Sequence, residues 1–419
     1  MTRTERQREA IKRWIAAKGK GSVEGCTGFG KTRIGLMTIQ ALLKKYPSFR
    51  VLVVVPTLAL KDQWQTQLDD WGFTFNSEVQ VINTVIMHEW NCDFLVLDEC
   101  HRFSSNDFSQ IFTCVKYKLI LGLTATFERL DGKHIIMQKY CPIVDRITFA
   151  EALANGWVSD YKEYIVLLDV DNISEYKALN KEWIEHFEFF EFDFSLAMSM
   201  VKPGVGWKNK LAYRDKIYSG NDENKKKEIL KSINYHSIRF TQTMQQRKSF
   251  INNHQKKVEI AKRIIEARSD KKIITFSNNV NMAEAIGIGD VYTGRVSKKR
   301  SATMIEDFSA STSGVLNTCA KANEGIDIPG LSVAIILGTD SSETKARQRR
   351  GRTVRKEENK IAEVFYLVIK DTVEEKWVKN NHKTDKNFIT IDEHGLEQVL
   401  RGEQPDLYKQ KLGNVLFRF

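Results

Sequence analysis

The 419-residue sequence is poor in the features that mark several classes of protein. It has 6 prolines, and its 24 glycines follow no period, which excludes collagen-like and low-complexity chains. No apolar run reaches the roughly 18 residues that a membrane-spanning helix needs. The charged N-terminal segment 1–14 also lacks the apolar core of a signal peptide. We therefore expect a globular protein of the cytoplasm.

Cysteine is also scarce. The 6 cysteines form no C-x-x-C pair, and no Cys/His cluster has the spacing of a zinc site. A disulfide framework is not expected in so long a chain with so few cysteines. We expect these residues to be reduced thiols.

Acidic residues are outnumbered by basic ones. The chain carries 64 Lys and Arg against 53 Asp and Glu, a net charge of +11. A basic balance favours a polyanionic partner, although ordinary solubility charge would give the same number. The length indicates two to four domains.

The N-terminal third alternates buried strands with helices. Residues 51–56, 93–99 and 118–126 are short apolar runs that end at polar or small residues. Such runs are typical of the central strands of a parallel sheet. Between the first two, residues 57–71 place apolar side chains at helical spacing. This pattern predicts an α/β domain.

The same pattern returns near the C-terminus. A helix-like stretch at 254–268 precedes strand-like runs at 271–277, 315–319, 332–339 and 363–369. We therefore predict a second α/β domain from roughly 250 to 380.

Residues 172–250 have a different composition. A helix-like stretch repeats Trp183, Phe187, Phe190 and Phe194 at helical spacing, which predicts one buried aromatic face. A basic stretch follows, from 208 to 227. A solvated helical insert and a contact surface for a polyanion both fit this composition. The last 35 or so residues predict a small mixed extension with no assigned chemistry.

A glycine-rich segment predicts a phosphate site, here called the glycine loop. It fits G-x-x-x-x-G-K-[ST] without a mismatch, as Gly25, Cys26, Thr27, Gly28, Phe29, Gly30, Lys31 and Thr32. Glycines let backbone N–H groups turn towards phosphate oxygens at the positive end of the following helix. Lys31 then reaches the β- and γ-phosphates, and the Thr32 hydroxyl is a ligand for Mg²⁺.

Two acids follow the apolar run at 94–97. Asp98 and Glu99 are expected at the carboxyl end of a strand, where ligands of open α/β sheets bind. Asp98 is suited to hold Mg²⁺ through water, and Glu99 to deprotonate the attacking water. Thr124 and Thr126 close the next strand.

A basic motif at 348–355 lies in the second α/β domain and includes Gln348, Arg349 and Arg352. An inserted arginine neutralises charge that builds on the γ-phosphate during phosphoryl transfer. A basic patch that only contacts nucleic acid is the alternative.

These four elements, in this order, resemble the motifs of superfamily 2 helicases and translocases. Further segments resemble family motifs, namely the glutamine segment 7–11, motif Ia at 53–64, motif Ib at 82–84, motif IV at 273–279 and motif V at 317–330. Within the superfamily, DECH, TATFERLDG and QRRGRTVR resemble the DEAH-like DNA group, which includes XPB-type repair helicases and phage UvsW-like recombination helicases. The residue before Gln7 is Arg6, where an apolar residue is common in the family.

The resemblance implies an α/β fold with two tandem RecA-like domains, parallel sheets and a helical insert. The implied divisions are RecA-like domain 1 (1–148), a connecting segment and helical insert (149–250), RecA-like domain 2 (251–380) and a C-terminal extension (381–419).

The resemblance also implies residue roles. Gln7 would read adenine, and Asp327 would lie near the ribose. Gln348 would approach the attacking water, while Arg349 and Arg352 would act as arginine fingers. The family binds the nucleic-acid backbone at the positions of Pro56, Thr57, Thr84, Ser277 and Thr318.

The implied activity is that of an ATP-dependent DNA helicase that uses ATP and Mg²⁺. It would translocate on DNA and unwind or remodel branched or forked DNA in recombination, repair or replication. The alternatives are a double-stranded DNA translocase without strand separation, an RNA helicase, and a nucleic-acid-binding scaffold with an inactive ATP site. These motifs are compatible with a monomer, and no membrane partner is expected. If the chain is phage-encoded, the expected location is the host cytoplasm.

Overall fold

The structure is a computed structural model. It describes residues 1–105, 107–125, 127, 134–158, 160–319, 328–339, 361–381, 388–406 and 408. None of the described helices is both long enough and apolar enough to cross a bilayer. All 6 cysteines are free thiols, as expected.

Six described strands form the first sheet, and every pair is parallel. They are β1 Lys20–Gly25, β2 Val51–Val55, β3 Ser77–Val81, β5 Phe94–Asp98, β7 Leu119–Thr124 and β8 Ile143–Ile147. Their spatial order is β3-β2-β5-β7-β1-β8. A separate parallel pair joins β4 Trp90–Asn91 to β6 Val115–Lys116. The three strands predicted in this region are confirmed.

Helices cover both faces of this sheet. They are α1 Arg3–Ala16, α2 Lys31–Lys45, α3 Leu58–Asp70, α4 Ile82–Val85, α5 Ile111–Cys114, α6 His134–Tyr140 and α7 Phe149–Ala154. Successive side chains of a strand point to opposite faces, so β2 serves two cores. Val53 packs in a cluster with Trp14 and Trp64, whereas Val54 packs in a cluster with Phe103. Burial on both faces explains why β2 reads as an uninterrupted apolar run.

Seven described strands form the second sheet, also parallel throughout. They are β9 Asp160–Leu168, β10 Lys272–Ser277, β11 Asp290–Tyr292, β12 Gly314–Cys319, β13 Leu331–Ile336, β14 Ile361–Ile369 and β15 Phe388–Ile391. Their order is β11-β12-β10-β13-β14-β9-β15. The four strands predicted here are confirmed. The remaining strands were not predicted, and β9 and β15 come from outside the range 250–380.

The helices that accompany this sheet include the one predicted at 254–268. They are α12 Gln255–Ala267, α13 Val280–Ala285, α14 Lys298–Ala310, α15 Val373–Asn381 and α16 Glu393–Leu400.

The segment between β9 and α12 is helical, as predicted. It consists of α8 Ile173–Glu188, α9 Phe194–Ser199, α10 Gly206–Ile217 and α11 Glu223–Asn252. The predicted aromatic face is confirmed for Phe187 and Phe190, which are buried against Phe240. It is wrong for Phe194, which is 50% exposed. The reason is that α8 ends before positive-φ residues at 191 and 192, so Phe194 begins a new helix.

Candidate active site

The parallel strands of the first sheet bring the predicted residues to one edge. All strands of a parallel sheet end on the same side, where ligands of α/β sheets bind. Following the strand order, Thr84 comes after β3, Thr57 after β2, Asp98 ends β5, and Thr124 ends β7. Gly25 then ends β1 and opens the glycine loop. These five positions, spread between residues 25 and 124 of the chain, therefore lie in one row along the edge of the sheet.

The glycine loop depends on glycine at two positions. Gly28 has φ +84° and Gly30 has φ +91°, both in the left-handed region that side-chain-bearing residues avoid. A Cβ at Gly30 would also lie 2.9 Å from the Arg3 Nη2 and Gln7 Nε2 atoms. Helix α2 begins directly afterwards at Lys31, so the loop leads into a helix N-terminus.

Arg3 binds carbonyl groups of the glycine loop. Its Nε donates to the Phe29 carbonyl at 2.7 Å, and its Nη2 donates to the Gly28 carbonyl at 2.5 Å. The Phe29 side chain is buried, with its ring 5.4 Å from that of Trp157. A lone arginine near the N-terminus has no pattern that links it to a loop 25 residues away. Its contact with the glycine loop could therefore not be predicted from the sequence.

Gln7 lies against the same loop. Its Nε2 donates to the carbonyl oxygens of Phe29 and Gly30, at 3.1 and 3.3 Å. Its Oε1 is buried and has no hydrogen-bond partner among the described residues. A buried acceptor without a donor is costly, and it suits a ligand N–H such as the amino group of adenine.

Arg6 has a structural role that explains its departure from the family pattern. The guanidinium is buried and donates to both carboxylate oxygens of Asp145, at 2.5 and 3.0 Å. It also donates to Glu151 at 2.7 Å. Because both carboxylates lie about 140 residues along the chain, only the folded structure shows why an arginine is tolerated there.

Asp98 is held at both carboxylate oxygens. Oδ2 accepts the indole N–H of Trp64 at 2.7 Å, and Oδ1 accepts the backbone N–H of Glu99 at 3.0 Å. Burial and then the charge of Glu99 raise the pKa of Asp98 to about 6, while Trp64 and the charge of Lys31 oppose this rise. A site that disfavours the carboxylate in this way would be stabilised by a cation.

Glu99 has an unusual backbone conformation. Its φ of +50° lies in the left-handed region, where strain is common at functional sites. Its Oε2 is buried and lacks a hydrogen-bond partner in the described parts of the chain. The nearby Nδ1 of His101, 3.4 Å away, is hydrogen-bonded to the Thr124 hydroxyl at 2.9 Å. The acid pair and the end of β7 are therefore joined.

The predicted nucleic-acid residues fall into two groups. In the first sheet, Thr84 is exposed, and Pro56 and Thr57 are half-buried, with the Thr57 hydroxyl capping α3 at Leu60 N. In the second sheet, Ser277 and Thr318 are buried. The Ser277 hydroxyl donates to the carbonyls of residues 279 and 318, and the Thr318 hydroxyl donates to that of residue 275.

Some predicted residues lie outside the described part of the chain. They are Thr126, Asp327, Gln348, Arg349 and Arg352. Within the glycine loop, Cys26 and Thr27 are half-buried. Burial raises the pKa of Cys26 to about 11, so its thiol is neutral at physiological pH.

Two family models and several known proteins match this chain. Residues 1–90 and 75–129 match the family described as the res subunit of type III restriction enzymes, and residues 256–357 match the helicase conserved C-terminal domain. The chain is 26% identical over 390 residues to DNA 3'-5' translocase XPB2 of Sulfurisphaera tokodaii, covering 88% of this chain and 82% of that one. It is 24% identical to the putative ATP-dependent RNA helicase MJ1505 of Methanocaldococcus jannaschii, covering 84% of this chain and 56% of that one.

A solved structure shows the same fold. Dbp5 of S. cerevisiae, bound to RNA and ADP BeF3, matches with a TM-score of 0.59 at 12% identity, over 94% of this chain and 91% of that chain.

The two parallel sheets and the glycine loop define a tandem RecA-like protein. The chain belongs to the superfamily 2 helicases and resembles the XPB-type members. The predicted fold is confirmed. Members of this family use ATP with a divalent metal ion and bind nucleic acid.

Proposed function

We propose that this protein is an ATP-dependent DNA helicase. It would move along DNA and unwind or remodel branched or forked DNA in recombination, repair or replication. The observation that carries the proposal is the single edge of the first sheet, where the glycine loop and acid pair lie in one row with the exposed Thr84 and half-exposed Thr57. The similarity to a protein named as a DNA translocase favours DNA.

ATP would bind at residues 25–32, with Gln7 at the adenine. The carbonyls of Gly28 and Phe29 face Arg3. Because a trans peptide directs its N–H opposite its carbonyl, the N–H of Gly30 points away from Arg3 and is free to face a phosphate. Asp327 would contact the ribose, as the resemblance implies.

Thr32 and Asp98 would hold Mg²⁺. Hydroxyl and carboxylate oxygens are the ligand atoms that this ion prefers. Burial and the charge of Glu99 raise the pKa of Asp98, and a bound cation would favour its carboxylate form. When bound, the ion would neutralise charge on the β- and γ-phosphates.

Glu99 would act as the general base. Its Oε2 would accept a proton from water as the water oxygen bonds to the γ-phosphorus and the bond to the bridging oxygen breaks. Lys31 would stabilise charge on the phosphates. Gln348, Arg349 and Arg352 would complete the site from the second domain, with Gln348 near the water.

Thr57 and Thr84 would contact the DNA backbone, together with Pro56. Hydroxyl groups bind phosphate without reading the base sequence, as a translocating protein requires. Contacts by Ser277 and Thr318 stay predictions, and their buried hydroxyls indicate a role in shaping the adjacent loops.

The domain division also stays a proposal, with 1–148, 149–250, 251–380 and 381–419 as the units. β9 and β15 lie outside the range 251–380. The pairing of β9 with β14 and of β15 with β9 argues that both strands complete the second domain. A cytoplasmic location also stays a proposal.

Two other functions have support. A double-stranded DNA translocase without strand separation is consistent with the name of the Sulfurisphaera tokodaii relative. An RNA helicase is consistent with the name of the Methanocaldococcus jannaschii relative, of which the chain spans little more than half.

The decisive test compares ATP hydrolysis with single-stranded, duplex, forked and four-way DNA and with RNA. We expect stimulation by DNA and unwinding of forked duplexes. Stimulation by RNA alone would favour an RNA helicase. Displacement of a triplex strand without unwinding of forks would favour a translocase. Wild-type protein that no nucleic acid stimulates would favour a scaffold.

A second prediction concerns the loop anchor. Arg3→Ala should weaken the binding of a fluorescent ATP analogue about tenfold, because hydrogen bonds from a charged group, each worth about 1.5–3 kcal/mol, no longer fix the loop. Arg8→Ala is the control, since Arg8 is exposed on the same helix. Equal affinity of the Arg3 and Arg8 variants would show that Arg3 does not organise the site.

A further inference from the structure

Trp64 connects two segments of the first domain that belong to different family motifs, namely motif Ia at 53–64 and the acid pair at 98 and 99. It lies on α3, the helix that Thr57 caps, and its side chain is fully buried. Its indole N–H donates to Oδ2 of Asp98 at 2.7 Å, across 34 residues of sequence. A helix that starts at the proposed DNA contact therefore holds the proposed metal-binding acid directly.

The other end of the indole touches the helix that follows the glycine loop. Gly35 lies one turn into α2, and a Cβ at this position would be 2.7 Å from Cη2 of Trp64. Absence of a side chain at Gly35 is thus what admits the ring. Trp64 therefore joins three elements. It belongs to α3, which begins at the proposed DNA contact; it touches α2, which follows the glycine loop; and it binds Asp98 at the end of β5.

We propose that Trp64 is a positioning residue that couples DNA binding to nucleotide binding. This inference rests on the proposed function. Oδ1 of Asp98 is fixed by the backbone and Oδ2 by Trp64, so a displacement of α3 must move or release Oδ2. DNA bound at the N-terminal end of α3 would favour one position of this helix and hence one orientation of Asp98.

Coupling of this kind is reciprocal. If DNA stabilises the orientation of Asp98 that holds the metal–nucleotide complex, that complex must strengthen DNA binding by the same factor, typically about 5–150-fold. A purely structural role for Trp64 predicts lower stability but an unchanged factor. The two roles are therefore separated by a binding measurement.

The chain offers a matched control. Trp14 is also buried in the first domain, in the same hydrophobic cluster as Trp64. Its indole N–H donates to the Ile120 carbonyl at 2.8 Å, a backbone group outside the proposed site. Trp14→Phe and Trp64→Phe therefore remove the same N–H group and a similar volume from one core.

The experiment measures the affinity of a non-hydrolysable ATP analogue with Mg²⁺, with and without single-stranded DNA. We expect DNA to tighten analogue binding in the wild type and in Trp14→Phe to the same extent. In Trp64→Phe, the tightening factor should fall about fivefold or more, towards no coupling. Without Mg²⁺, the two variants and the wild type should bind the analogue equally. A wild-type tightening factor in Trp64→Phe overturns the inference.

A second substitution covers the case in which Trp64→Phe does not fold. Trp64→3-benzothienylalanine keeps the shape of the indole and replaces only the N–H by sulfur, and it should lose the coupling as well. Failure of the inference is distinguishable from failure of the proposed function. If the proposed function is wrong, DNA will not stimulate ATP hydrolysis by the wild type. If only the inference is wrong, DNA will stimulate the wild type, and the Trp64 variant will keep the full tightening factor.

Discussion

Glu99→Gln should lower the rate of ATP hydrolysis by about 10²–10⁴-fold and leave ATP binding intact. The substitution keeps the size of the side chain but removes the carboxylate that would accept the proton of the attacking water. The structural basis for this expectation is Oε2 of Glu99, which is buried and accepts no hydrogen bond from the described residues. Hydrolysis should be measured at saturating DNA, and binding with a fluorescent ATP analogue.

Glu89→Gln is the control for this experiment. Glu89 is an exposed acid of the same domain, so the variant changes the net charge equally without touching the site. An active Glu99→Gln variant, within about threefold of the control, would remove Glu99 from the mechanism. Loss of both binding and hydrolysis would instead indicate that Glu99 organises the site.

Lys257→Met should destabilise the protein by about 3–5 kcal/mol, because it leaves a buried carboxylate without its cation. Lys257 and Glu374 are both fully buried, and Nζ lies 2.6 and 2.8 Å from the two carboxylate oxygens. Nζ also donates to the Leu337 carbonyl, and Glu374 accepts from the Thr339 hydroxyl. Thermal and denaturant unfolding of the full chain measure the loss.

Lys256→Met provides the comparison. Lys256 pairs with Glu393 at 3.0 Å, but about a quarter of each side chain is exposed to solvent. Its removal should cost less than about 1 kcal/mol, as is usual for exposed ion pairs. Equal losses for the two variants would contradict the importance of burial.

The central strands and the candidate phosphate-binding elements could be predicted because their signals are local. β2 and β5 are buried on both faces and therefore read as continuous apolar runs. β1 was missed because KGSVEG includes polar and small residues, although it pairs with β7 and β8 inside the sheet. β9 carries an apolar run at 164–168 and was overlooked, whereas its pairing with β14, about 200 residues later, has no local signal.

The amino-acid sequence by itself determined the order of the motifs, the α/β class, and the acid pair and glycine loop as candidate groups. These follow from short segments whose spacing carries their chemistry. Only the tertiary structure decided what holds those groups in place, namely Arg3 behind the loop, Trp64 on Asp98 and Asp145 on Arg6. Hydrogen bonds between residues 26, 34 and 139 positions apart depend on how strands and helices pack. No local pattern in the sequence encodes that packing.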